Sequence, residues 1–219
     1  MIATGKPIIA LFINGRPLAV TRLAEKANAL VEGWYLGQEG GNAFADILFG
    51  KVNPGGKLAV TFPRSVGELP VYYNQHPSAR TRAYVGGKST PLFPFGFGLS
   101  YTSFEISAPR LAKAQIMPGE TAMVEVDVAN TGARVGDEVV QTYIRDDVSS
   151  VPRPVLELKA FQRVTLKPGE RRTLRFALAP DALAFWDIDM KWVVEPGSFT
   201  ISAGNSSANL KTAKLTVTA

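Results

Sequence analysis

The chain has 219 residues, 46% hydrophobic and 20% charged, with no cysteine and one histidine, His76. This is globular composition with room for one large or two ordinary domains, and it excludes disulfide scaffolds, cysteine nucleophiles, thiolate metal sites and sites built on several histidines. The net charge of +5 resides in residues 1–102, which hold ten Lys/Arg against five Asp/Glu as scattered single residues; residues 103–219 hold fourteen of each, so there is no basic stripe for nucleic acid.

Pro7 to Ile13 is a continuous apolar run, the pattern of a strand buried on both faces of a parallel sheet. It is too short to span a membrane and too weakly basic in front for a signal peptide, so no export address is expected in these residues. Asn14-Gly-Arg-Pro17 ends it with turn residues. Leu18 to Ala29 has helical composition, and Ala29 to Tyr35 reads as a second short strand. Gly37 to Gly41 is a loop before a helix over Asn42 to Phe49, with Phe44, Ile47 and Leu48 on one side and Gly50 as its stop. Strand–helix–strand–helix predicts parallel pairing with right-handed crossovers. From Lys51 to Thr102 the periodicity fades, with a short strand over Lys57 to Phe62 and mostly loop from Pro63 to Thr90. A loop of that length is functional or wraps a neighbouring surface.

At about Ser103 the pattern becomes period two. Ala122–Ala129, Val139–Ile144, Arg172–Leu178, Ser198–Ser202 and Ala213–Val217 alternate, punctuated by Pro-Gly and Asn-Thr-Gly words. About seven short strands over this length predict an immunoglobulin-like sandwich. The Pro-Gly-Glu words at 118–120 and 168–170 read as hairpin turns, and Asn205-Ser-Ser207 as a polar hairpin tip. The expected fold is therefore α/β followed by all-β: a partial α/β sandwich domain with a parallel sheet over 1–102, then a β-sandwich over 103–219.

Gly37-Gln-Glu-Gly-Gly41 precedes a helix, but it lacks the spacing of a phosphate loop and reads as a tight turn, with Glu39 placed to hold backbone N–H groups. Sugar hydrolysis needs two carboxyls flanking the bond. The first half offers only Glu25, Glu32, Glu39, Asp46 and Glu68, and no two form a local pair. Asp137-Glu138, Asp146-Asp147, Asp187 and Asp189 are expected on solvated surface. Tyr72, Tyr73, Asn74, His76 and Arg80 mix aromatics, amide, imidazole and guanidinium in one loop. The loop is either a sugar-facing segment or a surface loop pinned by its tyrosines. Leu92 to Thr102 packs three Phe and a Tyr among Gly and Pro, a rigid apolar plug between the halves. Among Phe185, Trp186 and Trp192, core packing of at least two is expected, and exposed aromatics there would signal a binding face.

Several ordered words resemble the C-terminal part of glycoside hydrolase family 3, the β-glucosidase and β-xylosidase family. They are Gly33-Trp-Tyr-Leu-Gly-Gln-Glu-Gly-Gly41, Ala45-Asp-Ile-Leu-Phe-Gly50, Asn53-Pro-Gly-Gly-Lys-Leu58, Thr61-Phe-Pro63, Leu69-Pro-Val-Tyr-Tyr73 and Pro91 to Thr102. Val139 to Tyr143, Pro154 to Phe161 and Leu166 to Glu170 resemble the fibronectin type III-like domain that often follows. Leu36 stands where that family commonly has Pro, and Arg80 to Gly87 departs from its usual aromatic-rich stretch.

The resemblance implies a retaining mechanism, with an Asp nucleophile on an N-terminal barrel and a Glu acid/base on the α/β sandwich domain, their carboxyls about 5–5.5 Å apart. Both positions fall upstream of the residues matched here. The resemblance therefore implies no catalytic residue, metal or cofactor in this chain, and no hydrolysis by it alone. Tyr72, Tyr73, Asn74, His76 and Arg80 would lie near the substrate entrance, and Glu39 would hold a turn near the site. The implied partners are a barrel domain and, through the full enzyme, β-linked glucosides or xylosides, with neither nucleic acid nor membrane. The implied compartment is periplasmic or extracellular. The competing reading is a non-catalytic carbohydrate- or protein-binding module. A half α/β domain would also expose an unpaired sheet edge.

Overall fold

The computed structural model of the chain describes residues 2–77 and 90–219. Strands β1 (Ile9–Phe12) and β2 (Ala29–Glu32) pair in parallel through helix α1 (Thr21–Lys26), with Ile9 beside Ala29 and Phe12 beside Glu32. Helix α1 is shorter than its composition suggested. Its C-cap Ala27 is already extended, so that Asn28 can exchange hydrogen bonds with the backbone of Ile8 and close the crossover. Helix α2 (Gly40–Leu48) follows, buries Phe44 toward Gly33, and stops at Gly50.

The expectation for the first strand fails in one respect. Ile9 is 53% exposed, and Leu11 and Ile13 also face outward. β1 and β2 form a two-stranded sheet, and nothing among the described residues covers that face. Lys57 to Phe62 is not a strand either. Phe62 makes a single antiparallel bridge to Phe93, and Leu58 exchanges backbone bonds with Gly96 and Phe97.

The sandwich begins with β3 (Phe104–Ile106), β4 (Arg110–Leu111), β5 (Gln115–Ile116) and β6 (Ala122–Asn130). It continues with β7 (Gly136–Asp146), β8 (Glu157–Leu166) and β9 (Arg171–Leu178). Helix α3 (Pro180–Leu183) and the small hairpin β10 (Phe185–Trp186) and β11 (Trp192–Val193) lead to β12 (Gly197–Ser206) and β13 (Asn209–Val217). One sheet runs β5-β13-β12-β7-β8; in the other, β6 is central, with β3 and β4 along one edge and β9 along the other. Val124, Val126 and Val128 of β6 meet Phe199, Ile201 and Leu215 of the facing sheet in one core. This is the packing that period two requires, each fully buried apolar side chain contributing about 1.5–3 kcal/mol.

The two Pro-Gly-Glu words are not hairpin turns. The first joins β5 to β6 and the second β8 to β9, so each carries the chain from one sheet to the other. Both corners are built alike. The Glu120 and Glu170 N–H groups donate to the Met117 and Lys167 carbonyls, and their carboxylates accept the Met117 and Lys167 N–H groups. Strand β8 breaks alternation in its middle, where Phe161 follows Ala160 and faces solvent at 68% exposure and Gln162 stands between Ala160 and the buried Val164.

Candidate functional site

β7 explains where the loops of the first part go. Val140 and Ile144 point into the core, yet Gln141 and Tyr143, on the opposite face, are buried as well. Their cover comes from residues 53–77 and 92–102. The Gln141 amide donates to the carbonyls of Gly96 and Asn205, and the Ser207 N–H donates to the Phe95 carbonyl. Gly96 has φ +79°, and a Cβ there would overlap the Gln141 carboxamide, so the approach admits only glycine. The Asn205-Ser-Ser207 tip is therefore docked, with the aromatic plug joining the two halves as expected.

Charged residues complete this interface. Lys57 Nζ lies 2.7 Å from Glu138 Oε1 and 3.1 Å from the Gly98 carbonyl. Glu138 is 3% exposed, which corrects the expectation of solvated surface. Asn53 bridges as well: its Oδ1 accepts from Ser100 and Tyr101, and its Nδ2 donates to the Val135 carbonyl.

Tyr73 is the pivot of the candidate loop. Its ring stacks on Phe95 at 4.3 Å between centroids and meets Tyr143 edge-on at 5.8 Å. Its hydroxyl accepts the Leu158 N–H at 3.3 Å, and the Gln75 carbonyl accepts the Val155 N–H at 2.9 Å. Burial, with Tyr73 alongside, pushes the Tyr143 phenol well above its ordinary value, so Tyr143 stays neutral. Tyr72, Asn74 and His76 are exposed on the same loop, while Arg80 lies outside the described residues. Glu39 sits at the N-cap of α2 without a side-chain capping bond; its carboxylate accepts from the Asn42 amide instead.

The segment that bonds Gln75 and Tyr73 is itself anchored by a buried cation. Arg153, 6% exposed, donates to Asp146, Glu157 and the Leu183 carbonyl, and its guanidinium sits 4.9 Å over the Phe185 ring. Asp146 is 8% exposed, a second departure from the surface expected of it. Burial raises its carboxyl above the ordinary range, and Arg153 pulls it back only in part. Gln141 carries no local sequence signal, because the carbonyls it bonds, Gly96 and Asn205, are distant in the chain; Arg153 has two acids nearby in sequence, but its burial depends on the Leu183 carbonyl and the Phe185 ring.

Three acids of the first part are engaged by near neighbours. Glu32 is committed to the Trp34 N–H and Asn14, Asp46 to Lys51, and Glu68 to the Arg64 N–H. The aromatic expectation is also corrected. Phe185 is buried, but Trp186 and Trp192 are 56% and 48% exposed. The hairpin register pairs them on one face, with Phe185 and Val193 on the other.

Comparison with known proteins follows this architecture. Residues 1–101 match the glycosyl hydrolase family 3 C-terminal domain, and residues 138–207 the fibronectin type III-like domain. The chain is 51% identical to a β-xylosidase of Formosa agariphila, over 98% of this chain and 30% of that protein. It is 45% identical to a periplasmic β-glucosidase of Salmonella typhimurium, over 95% of this chain and 29% of that protein. A β-glucosidase from Listeria innocua, solved in complex with glucose, matches 100% of this chain and 32% of its own at 37% identity, with a TM-score of 0.93. The chain thus spans about 30% of the length of the curated relatives it matches.

Proposed function

Because the chain belongs to glycosyl hydrolase family 3, as its C-terminal domain followed by a fibronectin type III-like domain, we propose that it forms the C-terminal part of a retaining β-glycosidase acting on β-glucosides or β-xylosides. The division between the two parts falls at residues 102 and 103. The nucleophile and the acid/base come from residues outside these 219, and the chain alone does not hydrolyse glycosides. Its task is to hold the loop at 72–77 at the edge of the substrate entrance, and Glu39 keeps the turn ahead of α2.

The observation that carries this reading is the double anchoring of that loop. Tyr73 and Gln75 are tied to the sandwich, while Tyr72, Asn74 and His76 remain open to solvent. Alternate residues fixed and free make a rigid lip, which positions ligand-facing side chains at low entropic cost. The name of the Salmonella typhimurium relative, a periplasmic β-glucosidase, supports a periplasmic or extracellular setting as part of this proposal. No helix among the described residues is long and apolar enough to cross a membrane.

The test is release of p-nitrophenol from aryl β-glucoside and β-xyloside by the purified chain. The expected rate is that of the buffer blank. Sustained turnover that disappears in Glu39→Gln or another acid variant of this chain would overturn the assignment of catalysis to other residues.

A further inference from the structure

Trp186 and Trp192 are directly paired across β10 and β11, their ring centroids 5.4 Å apart and their planes tilted by 55°. The hairpin that presents them is stiff. The Asp187 carboxylate accepts the N–H groups of Asp189 and Lys191, and the Asp187 N–H donates to the Lys191 carbonyl. On the inner face, Phe185 is buried under the Arg153 guanidinium. Trp192 Nε1 donates to Asp181 Oδ1 at 3.2 Å, which fixes the azimuth of that indole. Two large aromatic faces are therefore held in place and left about half open to water.

We propose that this face binds a neutral β-linked oligosaccharide, one indole stacking on each of two successive pyranose rings. Equatorially substituted pyranoses present flat C–H faces to an aromatic ring and hydroxyls to its edge, so a rigid indole with polar groups at its rim matches them. The two indoles lie side by side on one face of the hairpin, so a chain of pyranoses crossing that face meets them in succession. Asp181, Asp187, Asp189 and Lys191 form the rim. Its net charge is negative, which disfavours phosphate backbones and anionic lipid. Ile188 and Met190 are exposed at the hairpin tip, but with the two tryptophans they make only four side chains. A stable protein interface uses about 20–30 residues a side. The sugar class rests on the function proposed above, but binding is independent of hydrolysis, so either can fail without the other.

The chain itself is titrated with cellohexaose and xylohexaose, followed by tryptophan fluorescence and calorimetry. Saturable binding is expected, weakened at least about 10-fold in Trp186→Ala and again in the Trp186→Ala/Trp192→Ala double variant, with far-UV dichroism and melting unchanged. Absence of saturable binding to either hexasaccharide, or binding that survives in the folded double variant, overturns the proposal. Concentration-dependent dimerisation of the chain that Trp186→Ala abolishes, without sugar binding, overturns it in favour of a protein partner.

Discussion

At the residue scale, partners decide what an acid does. Arg110 and Thr173 both donate to the Asp127 carboxylate, and the bond from Arg110 contributes most to holding it at about 2 instead of 3.8. The native state therefore binds fewer protons than the unfolded chain as pH falls through this range. The stability Asp127 contributes is present above its unfolded value and is lost as pH falls toward about 2. Melting temperature measured across this window should fall more steeply for the native sequence than for Asp127→Asn, which has no proton to take up; equal slopes would refute the link. Asp146 has the opposite sign, because burial makes the folded state hold its proton more tightly.

At the element scale, one sequence word serves two backbone geometries. The corners at 118–120 and 168–170 share the reciprocal bonds of their glutamates, yet Gly169 has φ +75° and donates its N–H to the Asn130 carbonyl, whereas Gly119 lies outside the left-handed region. A Cβ at either position meets nothing within 4 Å, so backbone conformation and not space decides the effect of a side chain there. Gly169→Ala should cost about 1 kcal/mol, since an L-residue is strained in that conformation. Gly119→Ala should be neutral or stabilising by about 0.4–1 kcal/mol, through the reduced entropy of the unfolded chain. Urea midpoints of the two variants provide the check, and equal losses would show that the corners are equivalent.

At the scale of the whole molecule, the first part is clasped to the outer face of the five-stranded sheet. Lys57 to Glu138, Gly96 to Gln141, Asn53 to Val135 and Tyr73 on Tyr143 all cross that interface. Calorimetry of the chain should therefore show one cooperative transition. Lys57→Met leaves Glu138 buried without its cation and should cost about 3–5 kcal/mol, splitting the transition as the two parts uncouple. Two transitions already present in the native sequence would mean that the clasp does not couple them.

Periodicity and turn words in the sequence alone determined that an α/β segment precedes a β-sandwich. They placed β6, β7, β9, β12 and β13, and the ordered words from Gly33 to Thr102 carried the family. Those features are local: side-chain alternation and turn chemistry are properties of neighbours in the chain. The tertiary structure decided what depends on distant partners. Glu138 is buried because Lys57 reaches it, and Asp146 because Arg153, itself held over Phe185 by the Leu183 carbonyl, turns back onto it. β7 is covered on both faces because the plug at 92–102 lies on it. β1 stays half exposed despite its apolar run, since burial requires a second surface and no pattern within one strand supplies it. Trp186 and Trp192 face water for a related reason: two residues are too few for alternation to show, and only the pairing of β10 with β11 reveals which face holds the core.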